Sequence, residues 1–263
     1  AQSGSSTPVR TFRADALEVR VYQEGAQLAG DAAQIAQSYL QDLLAKQASA
    51  AVILASATSQ TQFLEALAGL GGVDWTKATF FHMDEYLGID PGHPASFPLF
   101  LQERFLQYVN VRRFFPVPNN PVDADQACRD YERLLRDHPA DMVAMGFGEN
   151  GHIAFNDPPD ARFDDPVWVK VVALAEASRR QQVGEGHFTS LAEVPTHAIT
   201  LTIPALLTPK QVLCIVPEAR KAEAVRACLT EPISEDRPGS ILRRVNHARL
   251  YLDPDSAAKI LQN

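Results

Sequence analysis

A glycine-rich segment between residues 146 and 159 carries the side chains best suited to chemistry. It reads GFGENGHIAFNDPP and sets the imidazole of His152 five residues before the carboxylate of Asp157. A histidine beside a carboxylate can accept and donate protons near neutral pH. The apolar run Met142 to Met145 just before the segment predicts a buried strand. Because ligands of alternating α/β proteins bind beyond the carboxyl ends of strands, the segment is predicted to be a catalytic loop.

A second segment, FFHMDEYLG from Phe80 to Gly88, sets two adjacent carboxylates, Asp84 and Glu85, at the end of an apolar strand. Neighbouring side chains of an extended backbone point to opposite faces, so only one of the two can enter a given cleft. A carboxylate beside aromatic residues can have a raised pKa and act as a base. Alone, this pattern is more typical of a solvated strand end. Combined with His152 and Asp157, it indicates the proton transfers of a sugar-isomerising enzyme.

A third segment, SATSQ at residues 56–60, is predicted to bind an anion. Hydroxyl groups and free amides at the start of a helix favour phosphate, and Ser56, Thr58 and Ser59 supply the hydroxyls. The indication is weak because the segment has no glycine to bring the backbone close to a phosphate. Lys221, near the start of another helix, could add a positive charge, although alone it is more typical of a solvated helix residue.

Composition excludes several function classes. The net charge is −8 and no element concentrates lysine and arginine, which argues against nucleic acid as a partner. No apolar run approaches the roughly 20 residues that span a bilayer, so no membrane span is expected. The histidines are scattered without metal-ligand spacing, and a GxSxG nucleophile elbow is absent. The three cysteines, Cys128, Cys214 and Cys228, have no CxxC spacing, are predicted to be reduced core thiols and indicate a cytoplasmic location.

Strands and helices alternate along the chain and must position these residues. The patterns predict strands at Leu17 to Tyr22, Ala51 to Leu54, Ala78 to Met83, Met142 to Met145, Trp168 to Val172, His197 to Leu201, Val212 to Val216 and Arg249 to Leu252. They predict helices at Gly25 to Lys46, Ser59 to Leu70 (with Ser59 and Gln62 as a capping box), Phe97 to Val109, Asp123 to Asp137, Glu218 to Leu229 and Asp255 to Leu261. Strands separated by helices predict a three-layer α/β fold with a mostly parallel, doubly wound, Rossmann-like sheet.

The domain organisation follows from the same patterns. Residues 1–10 are small and polar and are predicted to be a flexible tail, and residues 11–263 are predicted to form a single domain. Residues 158–193 are charged, contain glycine and follow the catalytic loop, which makes them a candidate lid. An ordinary surface excursion explains that composition equally well.

Together these segments resemble the glucosamine-6-phosphate deaminase/6-phosphogluconolactonase family. The run Met83 to Tyr86 resembles the deaminase MDEY signature, and Gly148 to Pro158 resembles the GxDGHIAFNEP loop. The residues that follow His152, Ile153 to Asn156, are similar to the deaminase branch, because the lactonase branch has a GHTASLFP-like sequence around the same histidine. Lys221 corresponds to a phosphate-binding lysine of the family. The family's C-terminal SxLxxH pattern and the aspartate after it are similar to Ser240, Leu242, His247 and Asp253 of this chain.

The resemblance implies that glucosamine 6-phosphate, or a close amino sugar phosphate, and water become fructose 6-phosphate and ammonia without a metal or organic cofactor. It implies that Asp84 takes the C2 proton and returns it at C1, and that His152 assists opening of the sugar ring. Asp157, in place of the family's usual glutamate, would orient His152. Asn150 stands where many members have aspartate, and its amide can form hydrogen bonds but cannot exchange a proton.

The chain departs from the family at the phosphate end. The family's TGGTP-like loop is SATSQ here, so both glycines are missing. Arg179 and Arg180 are the nearest candidates for the family's phosphate arginine, and Arg180 is taken with Gly151 of the catalytic loop as a substrate-binding position. A lactonase and a non-catalytic sugar phosphate sensor remain as alternatives. The small-molecule substrate is the expected partner, and the sequence leaves open whether the chain forms a homo-oligomer.

Overall fold

Eight strands form the central sheet of the computed structural model, which describes residues 7–261. In pairing order, with labels that follow the chain, they are β1 (Arg10–Ala14), β2 (Leu17–Val21), β11 (Ala248–Leu252), β10 (Gln211–Val216), β7 (Met142–Met145), β3 (Ala50–Leu54), β4 (Ala78–His82) and β6 (Arg113–Phe115). All neighbours pair in parallel except β1 and β2, which are antiparallel. The central strands β3, β4, β7 and β10 are buried along almost their whole length because helices cover both of their faces.

Helices on the two faces of the central sheet complete three layers. Along the chain the helices are α1 (Gly25–Leu44), α2 (Thr61–Leu70), α3 (Phe97–Arg104), α4 (Ala124–Asp137), α5 (Glu176–Gly184), α6 (Ile203–Leu207) and α7 (Ala222–Thr230). On one face α1 and α2 pack through a stripe of alanine and leucine that recurs every three or four residues. On the other face lie α4, α7 and the 3-10 segment Pro238–Arg244. The predicted single α/β domain with a mainly parallel sheet is confirmed.

A second, three-stranded sheet differs from the prediction. It consists of β5 (Asp84–Tyr86), β9 (His197–Leu201) and β8 (Val169–Ala173), all antiparallel. The sequence predicts β8 and β9 correctly as strands but assigns them to the parallel sheet. The long, apolar strand pattern does not specify a pairing partner, and β5 is too short to be recognised by alternation. Because only Met83 separates β4 from β5, the small sheet lies at the carboxyl end of β4.

Local predictions at the chain ends need correction. The predicted tail falls partly outside the described residues, and its last residue, Arg10, begins β1 and pairs with Val21. This edge strand is half-exposed and charged, so it lacks an apolar alternation. The predicted closing helix, Asp255 to Leu261, is a series of turns with a mixture of three-residue and four-residue hydrogen-bond spacings.

Two internal helices also differ at their ends. The predicted capping box of Ser59 and Gln62 does not form, because Thr58–Gln60 is a 3-10 turn and α2 begins only at Thr61. The helix predicted from Phe97 to Val109 ends at Arg104 and continues as a separate 3-10 turn.

The order of the strands opens a crevice between β3 and β7. From β3 the chain proceeds outward through β4 to β6, and it then returns to the other side of β3 as β7. The loops after β3 and β7 therefore diverge, and such a switch point is where ligands bind in open α/β sheets. Within residues 7–261 no helix combines the length and apolar character needed to cross a bilayer.

Candidate active site

A cleft of about 510 Å³ opens at this switch point. Its walls come from the loop after β3, the junction of β4 and β5, the loop after β7, helix α5, and the turn before α7. The cleft therefore brings together all three segments that the sequence analysis selected. Phe97 and Phe155 add apolar surface to the wall that Asp84 occupies.

Asp84 is the carboxylate that enters the cleft. It lies in β5 opposite Thr200, is 7% exposed, and has no hydrogen bond or ion pair from its side chain within residues 7–261. Burial, and after it the negative charge of Glu85, raises the pKa of Asp84 well above its usual range. A buried carboxylate without donors is a strong base once ionised, because few contacts stabilise its charged form.

Glu85 points away from the cleft, as the alternation of side chains along a strand requires. Its carboxylate accepts hydrogen bonds from the Ser96 hydroxyl and the Phe97 N–H at the start of α3, both at 3.2 Å. Burial raises the pKa of Glu85 to about 7, and these hydrogen bonds oppose the rise. Glu85 therefore anchors α3 and contributes a nearby negative charge to the environment of Asp84.

His152 lies in the loop after β7, and one of its ring nitrogens contacts two side-chain oxygen atoms. Its Nδ1 is 2.5 Å from Oδ1 of Asn150 and 3.2 Å from Oδ1 of Asp157. Because the amide oxygen of Asn150 can only accept, Nδ1 carries the proton in the neutral ring. Nε2 then holds the lone pair and is the nitrogen available to accept a proton in the cleft.

Asp157 and its donors fix this orientation. Asp157 is 2% exposed and accepts hydrogen bonds from Asn150 Nδ2 at 2.9 Å and from the hydroxyl of Ser178 at 2.8 Å. Burial alone would raise the pKa of Asp157, but the charge and hydrogen bond of His152, together with these donors, outweigh it and lower that pKa. An ionised Asp157 can therefore balance the charge that His152 acquires on protonation.

Gly148 leaves the space that the His152 ring occupies. A Cβ at this position would lie 1.8 Å from Cε1 of His152, far inside van der Waals contact. The backbone of the turn is closed by hydrogen bonds from Gly148 N to His152 O and from Gly151 N to Gly148 O, both 2.9 Å. The glycine is needed at residue 148 for close packing.

The predicted anion segment faces the cleft only in part. Ser56 and Ser59 line the cleft, and the Ser56 hydroxyl donates to the carbonyl oxygen of Phe97 at 3.2 Å. Thr58 does not line the cleft but a neighbouring pocket, together with Gly25 and Glu218. The reason is that a 3-10 turn directs consecutive side chains to different sides of its axis.

Lys221 lines the cleft and is 3% exposed, so it is not the solvated helix residue that its local sequence suggests. It ends the 3-10 turn Ala219–Lys221, and the preceding Glu218 is held by a hydrogen bond from its backbone N–H to Asp253 at 3.0 Å. Burial lowers the pKa of Lys221, and the negative charge of Glu185 opposes that change.

Three predicted binding residues lie elsewhere. Arg180 is on the outer face of α5, where its side chain is 68% exposed and pairs with Glu176. Arg179 donates to the carbonyl oxygens of Leu191 and Val194. Gly151 has φ +82° and its carbonyl accepts from Gly239 N at 2.8 Å, so it forms the turn behind the loop and does not line the cleft.

Helix α5 supplies residues that the sequence analysis missed. Gln181 and Gln182 line the cleft, Ser178 contacts Asp157, and Gln181 Oε1 accepts the Glu149 N–H at 2.8 Å. The polar residues 178, 181, 182 and 185 share one helical face, and this spacing was the available signal. The segment predicted as a lid thus contains a helix that forms a wall of the cleft.

The arrangement is suited to moving protons on a small polar molecule. It offers one buried base, one imidazole with an oriented lone pair, and one cation at the Lys221 end. Within residues 7–261 no group of three or more histidine, cysteine or acidic side chains is arranged to hold a metal ion.

Known proteins are similar to this chain in sequence and in fold. The profile of one family, glucosamine-6-phosphate isomerases/6-phosphogluconolactonase, matches residues 23–251. A glucosamine-6-phosphate deaminase of Exiguobacterium sibiricum is 34% identical over 186 residues, 71% of this chain and 72% of that protein. One from Bacillus cereus is 34% identical over 185 residues, 70% of this chain and 68% of that protein.

Solved structures extend the comparison to most of the chain. A monomeric glucosamine-6-phosphate deaminase has a TM-score of 0.83 at 29% identity and covers 91% of this chain and 98% of its own. The 6-phosphogluconolactonase of Thermotoga maritima has a TM-score of 0.72 at 18% identity and covers 89% of this chain and 98% of its own. The lactonase shares the fold.

Proposed function

The chain belongs to the family of glucosamine-6-phosphate isomerases and 6-phosphogluconolactonases, and we propose that it is an aldose–ketose isomerising deaminase of an amino sugar phosphate. This membership confirms the resemblance seen in the two sequence signatures. The first candidate substrate is glucosamine 6-phosphate, which with water gives fructose 6-phosphate and ammonia. The observation that carries the proposal is that the Asp84 carboxylate and the His152–Asp157 pair line or border one cleft.

Ring opening is the proposed task of His152. Opening a pyranose requires removal of the proton on the C1 hydroxyl and delivery of a proton to the ring oxygen. Nε2 of His152 is the acceptor, because Nδ1 is directed to Asn150 and Asp157. The imidazolium formed in this way is stabilised by ionised Asp157 and can return the proton. Asn150 orients the ring without taking part in proton exchange.

Proton transfer between C2 and C1 is the proposed task of Asp84. In the open-chain aldehyde, the ionised carboxylate removes the C2 proton, and the electron pair of that bond forms a C1–C2 double bond as the aldehyde oxygen takes a proton from the C2 ammonium group. Return of the first proton from Asp84 to C1 gives the C2 iminium ion. Water then adds at C2 and the nitrogen leaves as ammonium, which completes the balance to the ketose. Burial makes Asp84 basic enough for this role.

The phosphate end is proposed to involve Ser56, Ser59 and Lys221, the residues of the predicted set that line the cleft. The predicted lid, residues 158–193, is proposed to limit water access through α5. The buried, unpaired cysteines Cys128, Cys214 and Cys228 support a reducing compartment, for which we propose the cytoplasm.

The lactonase and sensor alternatives make different demands on the site. Lactone hydrolysis needs a base that activates water but no transfer of a C2 proton, so Asp84 would have no task in it. A sensor needs neither a base without donors nor an oriented imidazole. The position of Asp84 therefore favours the deaminase.

The test is the release of ammonia and formation of fructose 6-phosphate from glucosamine 6-phosphate, measured in the same reaction. Equal amounts of both products are expected. Folded protein that gives neither product, but hydrolyses 6-phosphogluconolactone, would refute the deaminase proposal. Binding of the sugar phosphate without any turnover would identify a sensor.

A further inference from the structure

Lys221 is the only lysine or arginine that lines the cleft within residues 7–261, and a carboxylate already accompanies it. Nζ of Lys221 lies 4.0 Å from Oε1 of Glu185, whose side chain is 2% exposed. Glu185 does not line the cleft itself; it lies directly behind Lys221 at the end of α5. The charge of the cleft cation is therefore compensated from the protein side.

The neighbours of Glu185 extend this compensation. Arg220 Nη1 is 3.9 Å from Oε1 of Glu185, and its Nε donates to Glu218 at 3.0 Å. His187 Nε2 is 3.4 Å from Oε2 of Glu185. Gln181 Nε2 donates a hydrogen bond to Oε1 at 3.2 Å. Each fixed cation here already has a carboxylate partner, in contrast to a site built with surplus positive charge for a phosphate group.

A phosphate monoester in this end of the cleft would meet Lys221 and, behind it, the negative charge of Glu185. Because the side chains of Lys221 and Glu185 are buried, solvent screens the repulsion between the Glu185 carboxylate and the phosphate only a little. We propose that Glu185 is a specificity-determining residue that limits the affinity of the cleft for a sugar's phosphate group. The cleft thus distinguishes phosphorylated from unphosphorylated amino sugars less strongly than Lys221 alone would.

The inference rests on the proposed function only in assigning the phosphate to the Lys221 end. A purely structural role for Glu185, such as holding α5 against the turn before α7, makes a different prediction. Glu185→Gln removes the negative charge and keeps one side-chain oxygen that can accept from Gln181, while its other oxygen is replaced by an NH2 group that can only donate. When phosphate binds to this variant, its own negative charge keeps Lys221 protonated.

The experiment measures binding of inorganic phosphate and of glucosamine 6-phosphate by calorimetry, for the wild type and Glu185→Gln. The Kd of both ligands is expected to fall by about tenfold or more in the variant. The Kd of unphosphorylated glucosamine is expected to stay the same. Glu176→Gln is the matched control, because Glu176 lies on the exposed face of the same helix and pairs with Arg180. It is expected to bind phosphate like the wild type.

Glu185→Asp separates charge from shape. It keeps the negative charge, so its Kd for phosphate is expected to remain near that of the wild type even if its thermal stability falls. Unchanged or weaker phosphate binding in folded Glu185→Gln would overturn the inference, as would equal gains in both Glu185 variants.

The inference and the proposed function fail in distinguishable ways. Ammonia release by the wild type without a change of phosphate Kd in Glu185→Gln refutes the role of Glu185 and leaves the deaminase intact. Tighter phosphate binding in Glu185→Gln, with no ammonia from any variant, supports the role of Glu185 and refutes the deaminase.

Discussion

Gly148→Ala should impair the proposed deaminase through a displacement of one side chain. The glycine does not have a positive φ, so its backbone accepts alanine, and the three atoms nearest to the new Cβ all belong to the His152 ring, with Cε1 at 1.8 Å. Carbon atoms in contact stay about 3.5 Å apart, so the ring must move by roughly 1.7 Å. It can do so by rotating about its side-chain bonds, which leaves the fold intact but removes Nδ1 from Asn150 and Asp157.

The expected loss is in turnover. A misplacement of about 1 Å in a catalytic group can lower the rate by about 100-fold, equivalent to about 2.7 kcal/mol in the activation free energy. The KM should change little, because the groups at the Lys221 end of the cleft are untouched. Initial rates of ammonia release over a range of glucosamine 6-phosphate concentrations give both parameters.

Gly69→Ala is the matched control, since a Cβ at that position in α2 meets nothing within 4 Å. It should keep the wild-type kcat, and thermal melts should show that both variants are folded. A folded Gly148→Ala protein with the kcat of the wild type would refute the argument that the contacts of His152 with Asn150 and Asp157 set the rate.

Three further predictions concern Asp84, its neighbour Glu85, and Ser178, which contacts Asp157. Asp84→Asn should abolish exchange of the C2 hydrogen with solvent, followed by NMR in deuterated buffer, while substrate binding is retained; persistent exchange would remove Asp84 from the mechanism. Ser178→Ala removes a hydrogen bond to a buried carboxylate and should lower the free energy of unfolding at pH 7 by about 1.5–3 kcal/mol in urea titrations; no change would show that Asp157 is satisfied without it. The proposed mechanism needs ionised Asp84, so kcat/KM should rise with pH through a pKa above the usual aspartate value, because burial and then Glu85 raise it. Glu85→Gln should move this limb to lower pH, whereas a limb caused by ionisation of the substrate would not move.

The segments with the proposed reactive side chains could be identified from the sequence, because the residues of each motif lie close together in the chain. His152 and Asp157 lie five residues apart in one glycine-rich loop, and Asp84 ends an apolar run. The alternation of strands and helices likewise predicted a mainly parallel sheet, whose carboxyl edge brings the loops together. The strands Met142–Met145 and His197–Leu201 were predicted with their observed ends.

Side-chain direction in short irregular segments could not be predicted. Ser56 and Ser59 face the cleft while Thr58 does not, because a 3-10 turn replaces the predicted helix start. Arg180 is charged and close in sequence to Gln181, yet it occupies the outer face of α5. Composition identified the segment as polar, but only its helical geometry decides which polar groups point inward.

The alternating architecture, the glycine-rich loop and the acidic strand end could all be predicted from the sequence, since each depends on residues that are neighbours in the chain. Three other features depend on how distant elements pack: β8 and β9 pair with β5, α5 forms a wall of the cleft, and Glu185 lies beside Lys221. Glu185 and Lys221 are 36 positions apart and meet because α5 and the turn before α7 pack together. No local pattern specifies such a contact, because it is set by how the buried surfaces of distant elements fit against one another.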